Sequence, residues 1–255
     1  MPFAEWAFIP WFYRAYRAFW SAIDWVFPPV CAGCGASGYR FCPDCYNQIK
    51  LIDQDQVCSQ CGIPFAPTDN PPKTICPACR ETLTPTNQIR SWAIYQGPLR
   101  KAVQGLKYHR NLALGDYFAP ALVEVFQAQH WDIDLVVPVP LSPNRRRQRG
   151  YNQAEILAFP FALAIQKPID SRALTKYRET PSQVGRSANE RRENVKGAFT
   201  ANPKSVSGHR VLLIDDVITT GATLNECAVA LVKAGANAVF GLTLARALSH
   251  ADDQL

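Results

Sequence analysis

Outside one short segment the 255-residue chain has almost no cysteine: eight of its nine lie between Cys31 and Cys79, and Cys227 is the exception. A disulfide framework spread through a secreted protein is therefore not the expectation, and a reducing, cytoplasmic compartment is. The chain also lacks a charge-free apolar run. Arg14, Arg17 and Asp24 interrupt the first thirty residues well short of the ~20 residues a membrane span needs. No small-residue cleavage site follows a basic start, so neither a span nor a signal peptide is expected. With 19% charged and 47% hydrophobic residues, the composition excludes a mainly disordered, collagen-like or coiled-coil chain and leaves room for a sizeable core. Positive charge is scarce in front. Residues 1–30 sum to zero, 31–85 to −1 and 86–255 to +7, which directs any anionic partner to the C-terminal two-thirds.

What the front of the chain does have is aromatic side chains. Residues 1–30 hold four of the six tryptophans, and between Pro10 and Pro28 the polar positions Arg14, Arg17, Ser21 and Asp24 recur at three- and four-residue steps. That spacing predicts an amphipathic helix within 1–30, with one narrow polar stripe and a broad aromatic face. Such a face packs on the other domains or on another subunit. The alternative is peripheral membrane contact through tryptophan and tyrosine, with only two cations to help.

All eight clustered cysteines form C-x2-C pairs: Cys31/Cys34, Cys42/Cys45, Cys58/Cys61 and Cys76/Cys79, separated by 7, 12 and 14 residues. A two-residue gap lets two thiolates face one ion, and eight thiolates suit two tetrahedral zinc sites. Zinc would also supply folding energy to a segment, 31–85, that is poor in long apolar runs. Neighbouring pairs sharing an ion is the preferred grouping, because short loops cost less entropy to close; interleaved sites are the alternative. Sets of four protein ligands leave no open position for a catalytic water, so the role expected is structural. Thiol redox motifs usually come singly, and the spacings do not follow ferredoxin patterns. Cys227, in an apolar helical stretch, reads as inert core.

From about Ile89 onward short β-branched runs alternate with helical periodicity, which predicts an α/β fold with a mostly parallel sheet flanked by helices. Strands are expected near 91–96, 133–139, 169–175, 209–215 and 238–244. Helices are expected near 98–107, 113–128, 152–165, 187–195 and 222–234. Ligands should then collect at the carboxyl ends of the strands.

The most informative stretch runs from Val211 through Asp215 and Asp216 to Thr219, Thr220, Gly221, Ala222 and Thr223. A buried strand enters two carboxylates, then a small polar turn, then a helix. Hydroxyls and backbone amides at a helix N-terminus attract phosphate, and glycine lets the backbone come close. Adjacent carboxylates accept hydrogen bonds from the hydroxyls of a ribose. Phosphate on one side and a diol on the other describe a ribose 5-phosphate.

The run LLIDDVITTGAT (212–223) resembles the 5-phosphoribosyl-1-pyrophosphate (PRPP) motif of type I phosphoribosyltransferases. Three further segments narrow the likeness: Val137-Pro-Val-Pro140-Leu141, Arg149-Gly-Tyr-Asn-Gln-Ala-Glu155, and Arg191-Arg-Glu-Asn-Val-Lys-Gly-Ala-Phe199. With four C-x2-C pairs in front, the chain from about residue 25 onward resembles the ComF family. That resemblance implies a double zinc ribbon, 31–85, fused to a phosphoribosyltransferase-like domain, 88–250, in a bacterial cytoplasmic protein of natural transformation and DNA utilisation. It implies PRPP held with magnesium at Asp215, Asp216, Thr219, Thr220, Gly221, Ala222 and Thr223. The magnesium would be held mostly by substrate oxygens and water. Lys107, in Gly105-Leu-Lys-Tyr-His-Arg110, also matches the family pattern.

On the leaving-group side, the candidates are the turn at Pro140 and the basic run Arg145, Arg146, Arg147 and Arg149, since arginine forks suit diphosphate oxygens. Arg149 is the strongest of them; a solvated cationic face is the competing reading for Arg145 to Arg147. Residues 178–187 have the composition of a lid, with Gln183, Arg186 and Arg191 able to close over substrate. Two functions are consistent with these features. One is transfer of a phosphoribosyl group from PRPP to a nitrogen nucleophile, with Asp215, Asp216 and Arg149 as the catalytic candidates. The other is a non-catalytic adaptor that retains the ligand site and engages single-stranded DNA, a DNA-uptake helicase or a recombination mediator through its basic surface.

Overall fold

The computed structural model describes residues 11–65, 74–81, 84–179 and 195–248. At its centre strand β5 (Arg210–Ile218) lies between β6 (Ala238–Arg246) and β2 (Leu135–Pro138), with β1 (Gln88–Ile94) beyond β6, giving a four-stranded sheet of order β1-β6-β5-β2. All three pairings are parallel. Parallel strands are buried on both faces, and β5 shows how the sequence meets that demand. Val211 and Leu213 point to one core with Leu224, Cys227 and Leu231 of helix α9 (Ala222–Lys233). Leu212 and Ile214 point to the other, where α4 (Gly97–Tyr108), α5 (Ala113–Ala128) and α7 (Gln153–Ile165) contribute Leu106, Phe118 and Phe161. Helices α5 and α7 cross so closely at Gly115 that a Cβ there would lie 2.2 Å from the Ile156 carbonyl oxygen.

The expected α/β architecture is present, with local corrections. The strand expected near 169–175 does not join the parallel sheet beyond a single bridge from Ile169 to Val136. The Asp170 carboxylate accepts from the Arg172 and Ala173 backbone amides at 2.7 and 3.1 Å, and this side-chain turn ends the extended run. The chain then forms β3 (Leu174–Lys176), antiparallel to β4 (Phe199–Ala201) in a separate two-stranded sheet. The three-residue β4 is too short to leave a periodic signal. After Pro140 the chain turns through Leu141 and Ser142, and the basic run then forms a helix absent from the expected set, α6 (Pro143–Arg149), started by Pro143 and stopped by Gly150 in the left-handed region at φ 80°. Apart from Val195, the helix expected near 187–195 lies outside the described residues. Short helices α2 (Pro43–Asn47) and α3 (Pro77–Glu81) in the cysteine segment, and α8 (Pro203–Val206), complete the described elements.

The cysteine segment does not stand apart from the sheet. Ile52 donates to the Trp92 carbonyl at 3.0 Å and Ile94 to that of Lys50 at 2.8 Å, so residues 50–52 pair antiparallel with the outer edge of β1. An open sheet edge is thereby covered. Cys31, Phe41, Cys42 and Cys45 belong to the same buried cluster as Trp92 and Phe118.

Helix α1 (Trp11–Val26) lies over α5 and α7. Tyr13 is buried, and the Tyr16 ring meets Phe159 of α7 edge-on at 5.6 Å. Arg40, from the cysteine segment, ties the three parts together. Its Nε lies 2.8 Å from Asp24 of α1, its Nη1 donates to Asp116 of α5 at 3.0 Å, and its guanidinium sits over the Trp20 ring. Asp24, expected on the exposed polar stripe, is instead half-buried in this pair. Burial raises the pKa of Asp116 although Arg17 and Arg40 oppose it. Removing the cation would leave a buried carboxylate uncompensated. Arg40→Met is expected to destabilise the protein by about 3 kcal/mol, read as a lowered Tm in thermal melts at pH 7, with partial recovery when Asp116→Asn is added. An unchanged Tm would show that the cluster contributes nothing.

Candidate active site and metal centres

The first four cysteines, Cys31, Cys34, Cys42 and Cys45, converge, and so do Cys58, Cys61, Cys76 and Cys79. Within each set the sulfurs lie within 4.8 Å of one another. This is the sequential grouping. The Cys34 and Cys42 sulfurs are 3.6 Å apart and those of Cys61 and Cys76 3.7 Å, close to the roughly 3.8 Å edge of a tetrahedron whose zinc–sulfur arms are ~2.3 Å. Backbone amides point at the sulfurs: Cys42 donates to Cys31 Sγ at 3.2 Å and Cys76 to Cys58 Sγ at 3.3 Å. Thiol donation from Cys61, and the amides of Cys61, Cys76 and Gln60, lower the pKa of Cys58 against the effect of burial. Beside the second set, buried Arg246 donates to the Cys61 carbonyl and Arg90 to that of Ser59 at 3.1 Å. Two guanidiniums there offset the net negative charge that four thiolates keep on a divalent ion. The donor sets thus fit zinc, with no ligand position left over.

At the carboxyl edge of the sheet, β5 runs on through Asp215, Asp216, Val217 and Ile218 before the chain turns at 219–221 into α9. Gly221 takes φ 77°, which allows the tight turn. Thr220 Oγ1 accepts from the Ala222 amide at 3.4 Å. Asp216 is buried, with its Oδ2 2.9 Å from Lys107 Nζ of α4. Burial works against the charge on Lys107, but Asp216 and then Asp215 outweigh it and hold its pKa above the usual value. Asp215 is half-buried, and one of its oxygens accepts the Asp216 amide at 2.8 Å. Burial first, and the neighbouring Asp216 second, push its carboxyl up to about 7 against the pull of Lys107.

These groups line a cavity of about 830 Å³. Asp215, Asp216, Thr219, Gly221, Ala222 and Thr223 form one side. Lys107, Pro140 and Arg149 share the lining, with the Arg149 guanidinium 5.2 Å from the Tyr108 ring centre. Thr220 is not among the lining residues; its hydroxyl is engaged with the Ala222 amide. Helix α6 divides the basic run. Arg145 and Arg149, one turn apart, reach the cavity, whereas Arg146 pairs with Glu155 at 2.8 Å and Arg147 donates to Asn144 at 2.7 Å. Residues 180–194, with Gln183, Arg186 and Arg191, lie outside the described residues.

A double zinc ribbon model matches residues 22–80 and a phosphoribosyl transferase domain model residues 159–253. DNA utilization protein YhgH of Escherichia coli (strain K12) is 33% identical over 197 residues, which cover 75% of this chain and 85% of that protein. Competence protein ComFC of Bacillus subtilis (strain 168) is 27% identical over 216 residues, 81% and 84% of the two chains. The chain belongs to the ComF family. Competence protein F of Haemophilus influenzae matches a shorter stretch, at 39% identity over 116 residues, 45% of this chain and 51% of that one.

This ComF chain also brings to the cavity residues that the sequence did not single out. Lys176, near the end of β3, and Arg100 and Arg110, at either end of α4, join the lining. With Lys107, Arg145 and Arg149 they make six cations around two carboxylates. Burial, followed by Arg145, lowers the pKa of Lys176. No local pattern marks a lone lysine in a three-residue strand; only the folding of β3 against β4 carries it there.

Zinc analysis of the purified ComF chain should give two ions, and Cys45→Ser or Cys58→Ser should each remove one and lower Tm; a metal content unchanged by either substitution would refute the grouping. A second expectation concerns pH. Asp215 holds its proton more tightly folded (about 7) than in the unfolded reference (3.8), so its contribution to stability falls as pH rises from about 4 to about 7 and is flat above. Asp215→Asn should therefore raise Tm on the order of 3 °C at pH 8 and have no such effect at pH 4.

Proposed function

We propose that the chain binds PRPP in this cavity and transfers its phosphoribosyl group to a nitrogen nucleophile, in the service of DNA utilisation as the names of its relatives suggest. The observation that carries the reading is the position of Asp215 and Asp216 near the end of β5, separated by two residues from the Thr219–Thr223 turn, with Asp216 paired to Lys107. In this reading the amides and hydroxyls of Thr219 to Thr223 at the start of α9 hold the 5-phosphate, favoured by the helix dipole. Asp215 and Asp216 accept hydrogen bonds from the ribose hydroxyls, which also places negative charge beneath a sugar that becomes cationic as its bond to pyrophosphate breaks.

Lys107 sets a cation 2.9 Å from the buried Asp216 carboxylate. Arg149 and Arg145 supply forked donors to the departing pyrophosphate beside the turn at Pro140. Magnesium, bound with the substrate, would add charge neutralisation at the diphosphate. In the bond change, the nucleophile's lone pair forms a bond to the anomeric carbon while pyrophosphate leaves with the electrons of the broken carbon–oxygen bond.

Calorimetric titration of zinc-replete protein with PRPP and magnesium should show micromolar binding that is lost in Asp215→Ala, Asp216→Ala. Binding would justify a screen of nitrogen acceptors by pyrophosphate release. Absence of binding in the folded wild-type protein would overturn the reading and leave the DNA-binding adaptor as the function to test, through salt-dependent affinity for single-stranded oligonucleotides.

A further inference from the structure

Helix α1 uses only part of its circumference to hold the body of the protein. Tyr13, Tyr16, Trp20, Ile23 and Asp24 face inward, at steps of three, four, three and one. On the opposite side Trp11, Ala15, Ala18, Ala22 and Trp25 are all exposed, and they follow one another at steps of 4, 3, 4 and 3 residues. That is the seam spacing of a paired helix. A second exposed row, Phe12, Phe19 and Val26, repeats every seven residues alongside it. Between Trp25 on one flank and Phe12 on the other, this arc of the helix carries no polar side chain; Arg14, Arg17 and Ser21 lie beyond Trp25.

We propose that this face pairs with the same face of a second copy of the chain, the two α1 helices running antiparallel about a two-fold axis near Ala18. Three features choose this occupant. The seam reads the same in residue type from either end, Trp-Ala-Ala-Ala-Trp: Trp11 and Trp25 each lie seven residues from Ala18, with Ala15 three residues before it and Ala22 four after. A two-fold operation therefore sets each tryptophan against the other's end of the seam and alanine against alanine, as a self-complementary interface requires. Small residues in the middle let helix axes approach toward the short end of the usual ~8–10 Å range, while Phe19 of each copy meets its equivalent near the axis.

The second feature is size. Trp11, Phe12, Phe19 and Trp25 are 67%, 60%, 59% and 88% exposed, and at ~150–250 Å² per large aromatic side chain they alone present roughly 500 Å² per chain. With Val26, 62% exposed, beside them, two copies bury about 1,000 Å² in total, the size at which a specific interface begins. Third, the charge pattern suits a protein surface better than a lipid one. Only Arg14 and Arg17 flank the patch among the described residues of α1, too few to draw it to an anionic membrane, and three alanines at its centre would add little burial in lipid.

Sedimentation velocity of the full zinc-replete chain, from about 1 to 100 µM, tests the pairing. The wild type is expected to dimerise. Ala18→Glu, which places two charges on the axis, and Trp25→Ala are each expected to weaken the dimer roughly 30-fold or more. Circular dichroism and zinc content should not change, because both positions are exposed in the single chain. Arg17→Gln, off the seam, should leave the dimer intact. A wild type that is monomeric throughout overturns the proposal, and co-pelleting of that monomer with vesicles of phosphatidylethanolamine and phosphatidylglycerol would assign the face to a membrane surface instead. A dimer that survives both seam variants overturns it as well, since the contact then lies elsewhere. None of these outcomes depends on PRPP binding.

Discussion

Two adjacent carboxylates, withdrawn from water at the end of a strand buried on both faces, set the constraint that the rest of this chain accommodates. Lys107 places a cation beside them, 2.9 Å from Asp216. That pair fixes the end of α4 against the sheet. The cost remaining appears in Asp215, whose carboxyl is pushed up to about 7 by burial and by its neighbour. A group that is destabilising in the folded chain but aimed into a cation-lined cavity fits a functional role better than a structural one.

The cysteine segment answers a different need. A four-stranded parallel sheet has two edges, and on one of them β1 presents unpaired backbone groups. Residues 50–52 pair with that edge, and the two cysteine sets sit on either side of the contact in sequence. The segment has few apolar residues of its own, so it borrows the core: Phe41, Cys42 and Cys45 pack with Trp92 and Phe118. Metal at these sets would then stiffen a brace across β1 as well as the loops that carry the ligands. Arg40 extends the same brace to α1 through Asp24 and to α5 through Asp116. The amino-terminal helix, the cysteine segment and the sheet are thus held by shared side chains. The units read from sequence as 1–30, 31–85 and 88–250 pack as one body over the described residues.

Much of this was legible in the sequence, for physical reasons that differ by element. Strand β5 and helix α9 announce themselves because a central parallel strand must be apolar along its length and a phosphate-type turn needs small residues in a fixed order. The cysteine pairs are legible because two thiolates can share an ion only at short spacing. The amphipathic character of α1 follows from its period, and part of its aromatic face packs inward through Tyr13, Tyr16 and Trp20; the period alone did not show that Asp24, on the polar stripe, is held inward by Arg40, a residue sixteen positions away.

The sequence alone therefore determined the α/β class, the two cysteine sets and the order of carboxylates, threonines and glycine, because each is a local pattern imposed by geometry within a few residues. Tertiary structure decided what no local pattern contains. It placed Lys107 on Asp216, and it turned Arg145 and Arg149 inward while Arg146 was spent on Glu155. It folded β3 away from the sheet to bring Lys176 to the cavity, and it left the Trp11–Trp25 row facing solvent. In each case the outcome depends on which groups from distant parts of the chain compete for the same buried space, and that competition is resolved only when the whole chain has packed.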